Sequence, residues 1–558
     1  MNIKKEIAKN IGFNLEGNEF NFEDLIIESI SPDKGDYCLP CFAFAKVLKS
    51  NPNLIAQQIS ESVDTSGIIL KCEVVGGYVN FFLNKEKVSE EIINKFDVGN
   101  LKFNDGNGKT VCIDYGSPNL AKYLHIGHLK TLIVGESLAR LYERFGYNVK
   151  RMNFIGDYGT PFGKIIGGLQ KWGSIEEVRA KGNDILQDYY VKFNKAEGED
   201  ETYSQLARDI FKKIEEKDDE IYPLYQEIIE ISLKDAKQRF KTLGVEFDDY
   251  RGEMYYSDLV PLAVNKLKEK NLLIESQGAQ VVAMPDDMPP AVIFKSDGTT
   301  LYITRDIAAA LDRYNDYHFD KIIYVTDVAQ TLHFKQLFKV MELMGAPFAG
   351  NMEHVAYGRF SLPDGKISSR RGKQAVLVDL MEFVQEKVSE IIKGRKFEIE
   401  KVEDVINAVV MAVMNYTVLK VERIKDCVFD VEQAFSFEGE TAPYMLYTYT
   451  RLESIIRKYH EVDVAADYSC LNEEAFELVK MINDFDNIII KSFNKSDTSL
   501  IGKHVMELCK NFNKFYATTK VLDGSDSTTK AKVKLVKMLK ETLSVGFDLL
   551  CLKTLKEM

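Results

Sequence analysis

Thr110-Val111-Cys112-Ile113-Asp114-Tyr115-Gly116-Ser117-Pro118-Asn119-Leu120-Ala121-Lys122-Tyr123-Leu124-His125-Ile126-Gly127-His128 passes from a β-type run through a turn into a helical pattern that continues to Phe145. Gly146 closes that pattern, and a further strand is expected over Val149 to Ile155. The order strand, turn, helix, strand opens a parallel, doubly wound sheet. Its first turn lies between a strand's carboxyl end and a helix's amino end, where such sheets bind phosphates on free backbone N–H groups. His125 and His128 are three residues apart and share a helical face, and Gly127 leaves backbone room for a nucleotide. Two of the chain's 7 histidines stand here. A lone histidine is ordinarily a packing residue; a His-x-Gly-His pair at a phosphate-binding turn points to chemistry.

Working outward, residues 1–105 alternate helical patterns with short apolar strands such as Tyr78 to Leu83, and they end in the turn-rich Asn104-Asp105-Gly106-Asn107-Gly108. Residues 174–250 are densely charged and helical, with Ile229, Leu233, Ala236, Phe240 and Leu243 expected on one packed face. Sheet-like runs return at Gln280–Met284, Ala291–Phe294 and Lys321–Val325, so the α/β domain is expected to resume after an insertion. From about Val376 the pattern is helix after helix, with Val536, Leu539, Leu543, Phe547 and Leu550 on one face near the end. The expected fold class is α/β: an N-terminal α+β domain at 1–105, a Rossmann-type parallel-sheet domain at 106–375 with a helical insertion at about 174–250, and an α-helical bundle at 376–558.

A chain of 558 residues exceeds one ordinary domain several-fold, and 45% hydrophobic residues with 27 Tyr and 33 Phe exclude wholesale disorder. The 85 acidic and 72 basic residues give −13, which argues against non-specific coating of nucleic acid while leaving room for a local basic groove. No run of eighteen apolar residues occurs, and the start MNIKKEIAKNIGF lacks a signal-peptide core, so a cytoplasmic protein with no membrane association is expected. The 8 cysteines are too sparse for a disulfide scaffold. Cys38 and Cys41 form a C-x-x-C that invites a redox reading, but packing at the start of the helix continued by Phe42 to Ala45 is the simpler one. No second C-x-x-C or nearby His completes a zinc site, and no structural metal is expected.

A second basic cluster, Asp364-Gly365-Lys366-Ile367-Ser368-Ser369-Arg370-Arg371-Gly372-Lys373, precedes the helical region. It reads equally as a solvated loop or as a set of donors closing over a triphosphate. The two stretches together resemble the HIGH and KMSKS signatures of class I aminoacyl-tRNA synthetases. Further stretches resemble the arginyl-tRNA synthetase family: Gly35-Asp36-Tyr37, Gly77 to Phe82, Gly156-Asp157-Tyr158-Gly159-Thr160, Tyr302-Ile303-Thr304-Arg305-Asp306 and Ser436 to Thr441. The likeness spans nearly the whole chain. It departs from the family at Ser369, where KMSKS has its second lysine and for which Lys122 is thought to substitute, at Tyr158 and Pro161 in place of Trp and Gln, and at Met254 in place of Ser.

The resemblance implies an arginine–tRNA ligase: arginine's carboxylate attacks the α-phosphorus of ATP, accompanied by Mg²⁺, and the arginyl group then passes to the terminal ribose of its tRNA. It implies His125, His128, Lys122, Lys366 and Arg370 as catalytic groups, with Gly127, Ser368 and Ser369 also against ATP. Asp114, Asn119, Glu253, Tyr302, Asp306 and Gln330 match arginine-binding positions, and a planar cation with five donors does require fixed carboxylates. Asn80, Phe82, Tyr444, Tyr516 and Met558 match tRNA-facing positions, where aromatic rings stack on unpaired bases. The implied partners are tRNA for arginine, L-arginine and ATP, with the enzyme a monomer whose activation step waits for tRNA. Two alternatives stay open: a paralogue that binds arginine or RNA without the chemistry, and a thiol-redox protein built on Cys38 and Cys41.

Overall fold

The computed structural model describes residues 1–13, 21–285, 288–363, 376–393, 402–430 and 432–557. The chain folds as two compact units: Met1–Val98 with Arg451–Asp486 and Glu507–Thr542, and Gly99–Thr450 with Asn487–Met506 and Leu543–Met558.

In the first unit four antiparallel strands, β1 (Ile27–Glu28), β2 (Tyr37–Pro40), β3 (Ile69–Val75) and β4 (Tyr78–Leu83), pair in the order β1-β2-β4-β3. The expected strand Tyr78 to Leu83 is β4, an inner strand. Asn80 on it is only 6% exposed, which leaves its side chain little to offer an RNA. Phe82 is half-buried, and the Lys71 ammonium lies 4.3 Å from its ring centroid. Cys38 sits in β2 and Cys41 caps the helix Phe42–Leu48. Both are buried free thiols, and burial pushes Cys41 up to about 12. A thiol held protonated is a poor nucleophile, so the redox reading fails on its own chemistry.

The second unit is built on four parallel strands, β5 (Thr110–Asp114), β6 (Asn148–Met152), β10 (Lys321–Asp327) and β11 (Met352–Tyr357), in the order β11-β10-β5-β6. From β5 the chain crosses through the helix Gly127–Arg144 to β6 on one side, and β10 and β11 fill the other side. The order therefore reverses between β5 and β10, and the crevice beyond their carboxyl ends is where open sheets bind ligands. Helix Gly127–Arg144 is buried on most of its surface, Lys130 and Glu136 included. Glu136 is satisfied by Arg140 at 2.8 Å, by Arg151 at 3.0 Å and by the Tyr115 hydroxyl at 2.8 Å.

The expected helical insertion consists of helices between Thr160–Trp172 and Ile221–Thr242. In the last of these the buried face runs through Ile228, Ser232, Ala236 and Phe240, so Ile229 and Leu233 are displaced to its edge and Ser232 takes a place the apolar pattern could not reveal. Two of the three returning sheet-like runs do not join the parallel sheet. They are β8 (Ala279–Val282) and β9 (Ala291–Phe294), which form a separate antiparallel sheet with β7 (Leu273–Ser276). Only the run from Lys321 becomes part of the parallel sheet.

Helix Val402–Leu419, of mean hydropathy 1.4, is long and apolar enough to cross a membrane, yet 67% of it is buried inside the protein, as a core helix is. Asn415 on it donates to the Cys551 carbonyl at 2.7 Å, so the chain's end closes onto the same unit. The late-chain residues Val536, Leu539, Leu543, Phe547 and Leu550 are all buried.

Candidate active site

A cleft of about 760 Å³ opens at the carboxyl ends of β5 and β10, where the strand order reverses. The turn that shapes it carries two successive left-handed residues, Gly116 at φ +89° and Ser117 at φ +40°. The second is a conformation that residues with a side chain adopt uncommonly. The turn is then fastened to the segment after β6, with Leu120 N–H donating to the Gly156 carbonyl (3.0 Å) and Gly156 N–H to the Pro118 carbonyl (2.8 Å). Thr131 adds an interior tie, accepting from Gly116 N–H at 3.0 Å and donating to the Val325 carbonyl at 2.8 Å.

His125 and His128 both line the cleft. The Nδ1 of His128 lies 3.0 Å from the His125 backbone N–H, and the Nδ1 of His125 accepts from Gly127 N–H at 3.1 Å. His125 is therefore assigned as the neutral tautomer carrying its proton on Nε2, whereas His128 Nδ1 also lies 3.1 Å from the His125 carbonyl and either accepts from the N–H, leaving its proton on Nε2, or donates to that carbonyl. Burial holds both imidazoles below the ordinary histidine range, reinforcing the neutral form. Two neutral imidazoles and the start of a long helix thus stand at one wall. A Cβ placed on Gly127 would meet only the His125 ring, at 3.3 Å, so the glycine keeps ligand space open rather than relieving an internal clash.

The opposite wall is acidic. Asp114 ends β5 and is buried; its Oδ2 accepts from Arg313 at 2.6 Å, while its Oδ1 is buried without a partner among the described residues. Burial raises its pKa, against the pull of Arg313. Glu253 begins the helix Glu253–Glu269 and pairs with Arg305 at 3.0 Å. Burial, with the charges of Asp306 and Asp157 nearby, outweighs Arg305 and pushes Glu253 up to about 7. Asp306, one turn after Tyr302 on the helix Tyr302–Tyr317, pairs with His333 at 2.7 Å. Behind them Asp157 accepts from Met254 N–H at 2.8 Å and is pushed up by burial to about 6. Arg305 lies between two rings, 4.7 Å from the centroid of Tyr158 and 5.2 Å from that of Tyr302. Tyr158, a departure from the family pattern, thus still presents an aromatic face to a cation.

Of the residues singled out in sequence, His125, Gly127, His128, Asp114, Asn119, Glu253, Tyr302, Asp306 and Gln330 all line this cleft. Lys122 does not; it is exposed, with its ammonium 5.7 Å from the Tyr190 ring centroid. Lys366, Ser368, Ser369 and Arg370 lie outside the described residues, as does Met558. Described residues before and after 364–375 are paired, however. On one side Phe360–Ser361 pairs with Cys427–Val428. On the other Val376 bridges His125, and Leu377 N–H donates to the Leu124 carbonyl at 2.7 Å. Backbone thus joins the histidine stretch to Val376 and Leu377. Tyr444 is half-buried; Tyr516 is 39% exposed, with the Arg451 guanidinium 4.9 Å from its ring centroid.

Several residues of the site escaped the sequence reading. Arg305 adjoins Asp306 and Arg313 follows it by two helical turns, so their positions were readable even though their partners were not. Tyr324, whose buried hydroxyl has no partner among the described residues, and His333 gave no motif signal. Among the described residues no cluster of three or more His, Cys, Asp or Glu could hold a metal ion.

Comparison with known proteins identifies the class. The family described as tRNA synthetases class I (R), catalytic domain, matches residues 90–431; the DALR anticodon binding domain matches 445–558, and the arginyl tRNA synthetase N terminal domain matches 1–83. The fold and cleft are those of a class I aminoacyl-tRNA synthetase. An arginine–tRNA ligase from Halothermothrix orenii is 40% identical over 97% of this chain and 98% of its own, and one from Clostridium beijerinckii is 39% identical over the full length of both. The chain belongs to the arginine–tRNA ligase family. In fold it is similar to the arginyl-tRNA synthetases of Thermus thermophilus (TM-score 0.77, 22% identity, 96% of each chain covered) and Plasmodium falciparum (TM-score 0.76, 22% identity, 96% and 94% covered).

Proposed function

We propose that this chain activates L-arginine with ATP and transfers it to the 3′ end of tRNA for arginine through the cleft at the strand-order reversal. The observation that carries the reading is the pairing of neutral imidazoles on one wall with three fixed carboxylates on the other. During in-line attack on the α-phosphorus, negative charge spreads over phosphate oxygens, and the Nε2–H groups of His125 and His128 with the helix amino end answer it without a covalent intermediate. Lys366 and Arg370 supply further positive charge to the triphosphate, and Lys122 joins them only by turning its ammonium from the Tyr190 ring toward the cleft; Gly127, Ser368 and Ser369 lie alongside the triphosphate, and Mg²⁺ enters as part of the ATP substrate. Asp306 and Glu253 take the guanidinium, Asp114 the ammonium, Asn119 and Gln330 the main-chain ends, and Tyr302 flanks the side chain. Asp114 is suited to its part because a ligand ammonium would satisfy the oxygen left unpaired in the cleft wall.

The N-terminal domain at 1–105 and the helical domain at 376–558 serve the tRNA, with Phe82, Tyr444, Tyr516 and Met558 as contacts and Asn80 acting from within its sheet. The protein works as a cytoplasmic monomer. Arginine-dependent exchange of pyrophosphate into ATP separates an enzyme from a non-catalytic paralogue. The expected result is exchange that is weak alone and strong once tRNA for arginine is added. No exchange under either condition would favour the paralogue, and strong exchange without RNA would defeat the coupling while leaving the enzyme reading in place. A version truncated after Cys427 is a poor substitute for the whole chain here, because Asn487–Met506 and Leu543–Met558 fold into the same unit as the parallel sheet.

Glu253 makes arginine binding pH-dependent. A carboxyl at about 7 is mostly protonated at pH 6, and a guanidinium binds its ionised form, so binding below pH 7 must expel a proton. Affinity should rise roughly ten-fold from pH 6 to pH 8 and level off above. Calorimetry at pH 7 in buffers of different ionisation enthalpy should show net proton release, and Glu253→Gln should abolish that part of the release. An affinity flat across this range would remove Glu253 from the guanidinium site.

A further inference from the structure

Each of the two acids assigned to the guanidinium has one oxygen already committed. Asp306 Oδ2 accepts from His333 Nε2 at 2.7 Å, and Glu253 Oε2 pairs with the Arg305 guanidinium at 3.0 Å. Neither acid has another hydrogen-bond partner among the described residues. A fork of two parallel hydrogen bonds onto Asp306 alone would compete with His333 for Oδ2. One oxygen from each carboxylate meets the same planar cation without disturbing either internal pair.

His333 is well built to hold its carboxylate in that arrangement. It stands three residues beyond Gln330, in the first turn of the helix Thr331–Met344, and lines the cleft with Asp306. Its ring lies edge-on to Phe334 at 5.3 Å, and Phe334 in turn stacks on His354 at 4.7 Å. Burial works against a charge on His333, but the hydrogen bond and charge of Asp306 outweigh it and raise its pKa. Its other titratable neighbour, His354 on β11, is pushed down by burial to about 4 and stays neutral, so Asp306 is the partner that governs His333.

We propose that His333 is a positioning residue for the amino-acid substrate: it holds Oδ2 of Asp306 so that Oδ1, together with the free oxygen of Glu253, forms a guanidinium site split across two carboxylates. This rests on the reading of Asp306 as a guanidinium acid, and the test keeps the two apart. Aminoacylation with tRNA present is measured for the full chain, H333L, H333Q, D306N and the double variant D306N/H333L, with KM for arginine and for ATP determined separately. Leucine keeps the bulk and loses the donor, whereas the glutamine amide places a donor near the Nε2 position. H333L should raise the arginine KM about ten-fold or more, with the ATP KM within about two-fold. H333Q should recover most of the arginine affinity. The double variant should be no weaker for arginine than D306N, since a residue acting through Asp306 has nothing left to orient. A wild-type arginine KM in H333L, equal rises for both substrates, failure of glutamine to rescue, or losses that simply multiply in the double variant would each overturn the proposal. A D306N variant with unchanged arginine KM would overturn the reading of Asp306 itself, and this proposal with it.

Discussion

His128→Ala lowers the rate of arginine activation about 10²–10³-fold, the usual scale for removing a donor aimed at developing charge, while the protein remains folded. The ring's internal duties are light: its Nδ1 contacts only the His125 backbone, at 3.0 Å from the N–H and 3.1 Å from the carbonyl. What disappears is a neutral imidazole in the cleft wall, kept uncharged by burial. Exchange assayed with tRNA present gives the rate, and a thermal melt confirms folding. A variant that melts like the parent and activates arginine at the parent's rate would show that the histidine wall does not face the phosphates.

Asp306→Asn is expected to weaken arginine binding by roughly 2–5 kcal/mol, because it leaves a guanidinium in a cleft with one of its compensating charges gone. The amide has the carboxylate's shape, so the helix Tyr302–Tyr317 and the stacked Arg305 should stay in place. ATP, which the proposed reading puts against the histidines, should bind almost unchanged, and equal losses for both ligands would mean that the site as a whole is disrupted. Discrimination against lysine should fall as well. A guanidinium spans two separated oxygens, whereas an ammonium is a point charge that needs only one of them.

What could be read in the sequence follows the range of each interaction. The run from Thr110 to His128 is local: strand, turn, histidine pair and helix start are adjacent in the chain and keep that order, but the helix begins only at Gly127, so His125 stands ahead of it in a bridge to Val376 and does not share a helical face with His128. β4 and β9 are likewise apolar runs whose limits are set by neighbouring turn residues. Which sheet a run joins is a long-range matter, and so β8 and β9, expected to resume the α/β domain with β10, instead form a separate antiparallel sheet in the order β7-β8-β9. The same holds in the cleft. Carboxylates were nameable from the resemblance, but their counter-ions come from elsewhere on the chain: Arg313 lies 199 residues from Asp114, and His333 lies 27 from Asp306 on a different helix. Lys122 shows the converse, since adjacency to the histidine pair in sequence does not bring its ammonium into the cleft.

The backbone bridge between Val376 and His125 couples the histidine turn to the start of the helix Leu377–Lys393. Leu377 N–H donates to the Leu124 carbonyl at 2.7 Å, so a shift of that helix start is carried by main chain to the residue beside His125. A main-chain donor is blind to side-chain identity: the tie survives every replacement at Leu377 except proline, which has no N–H to give.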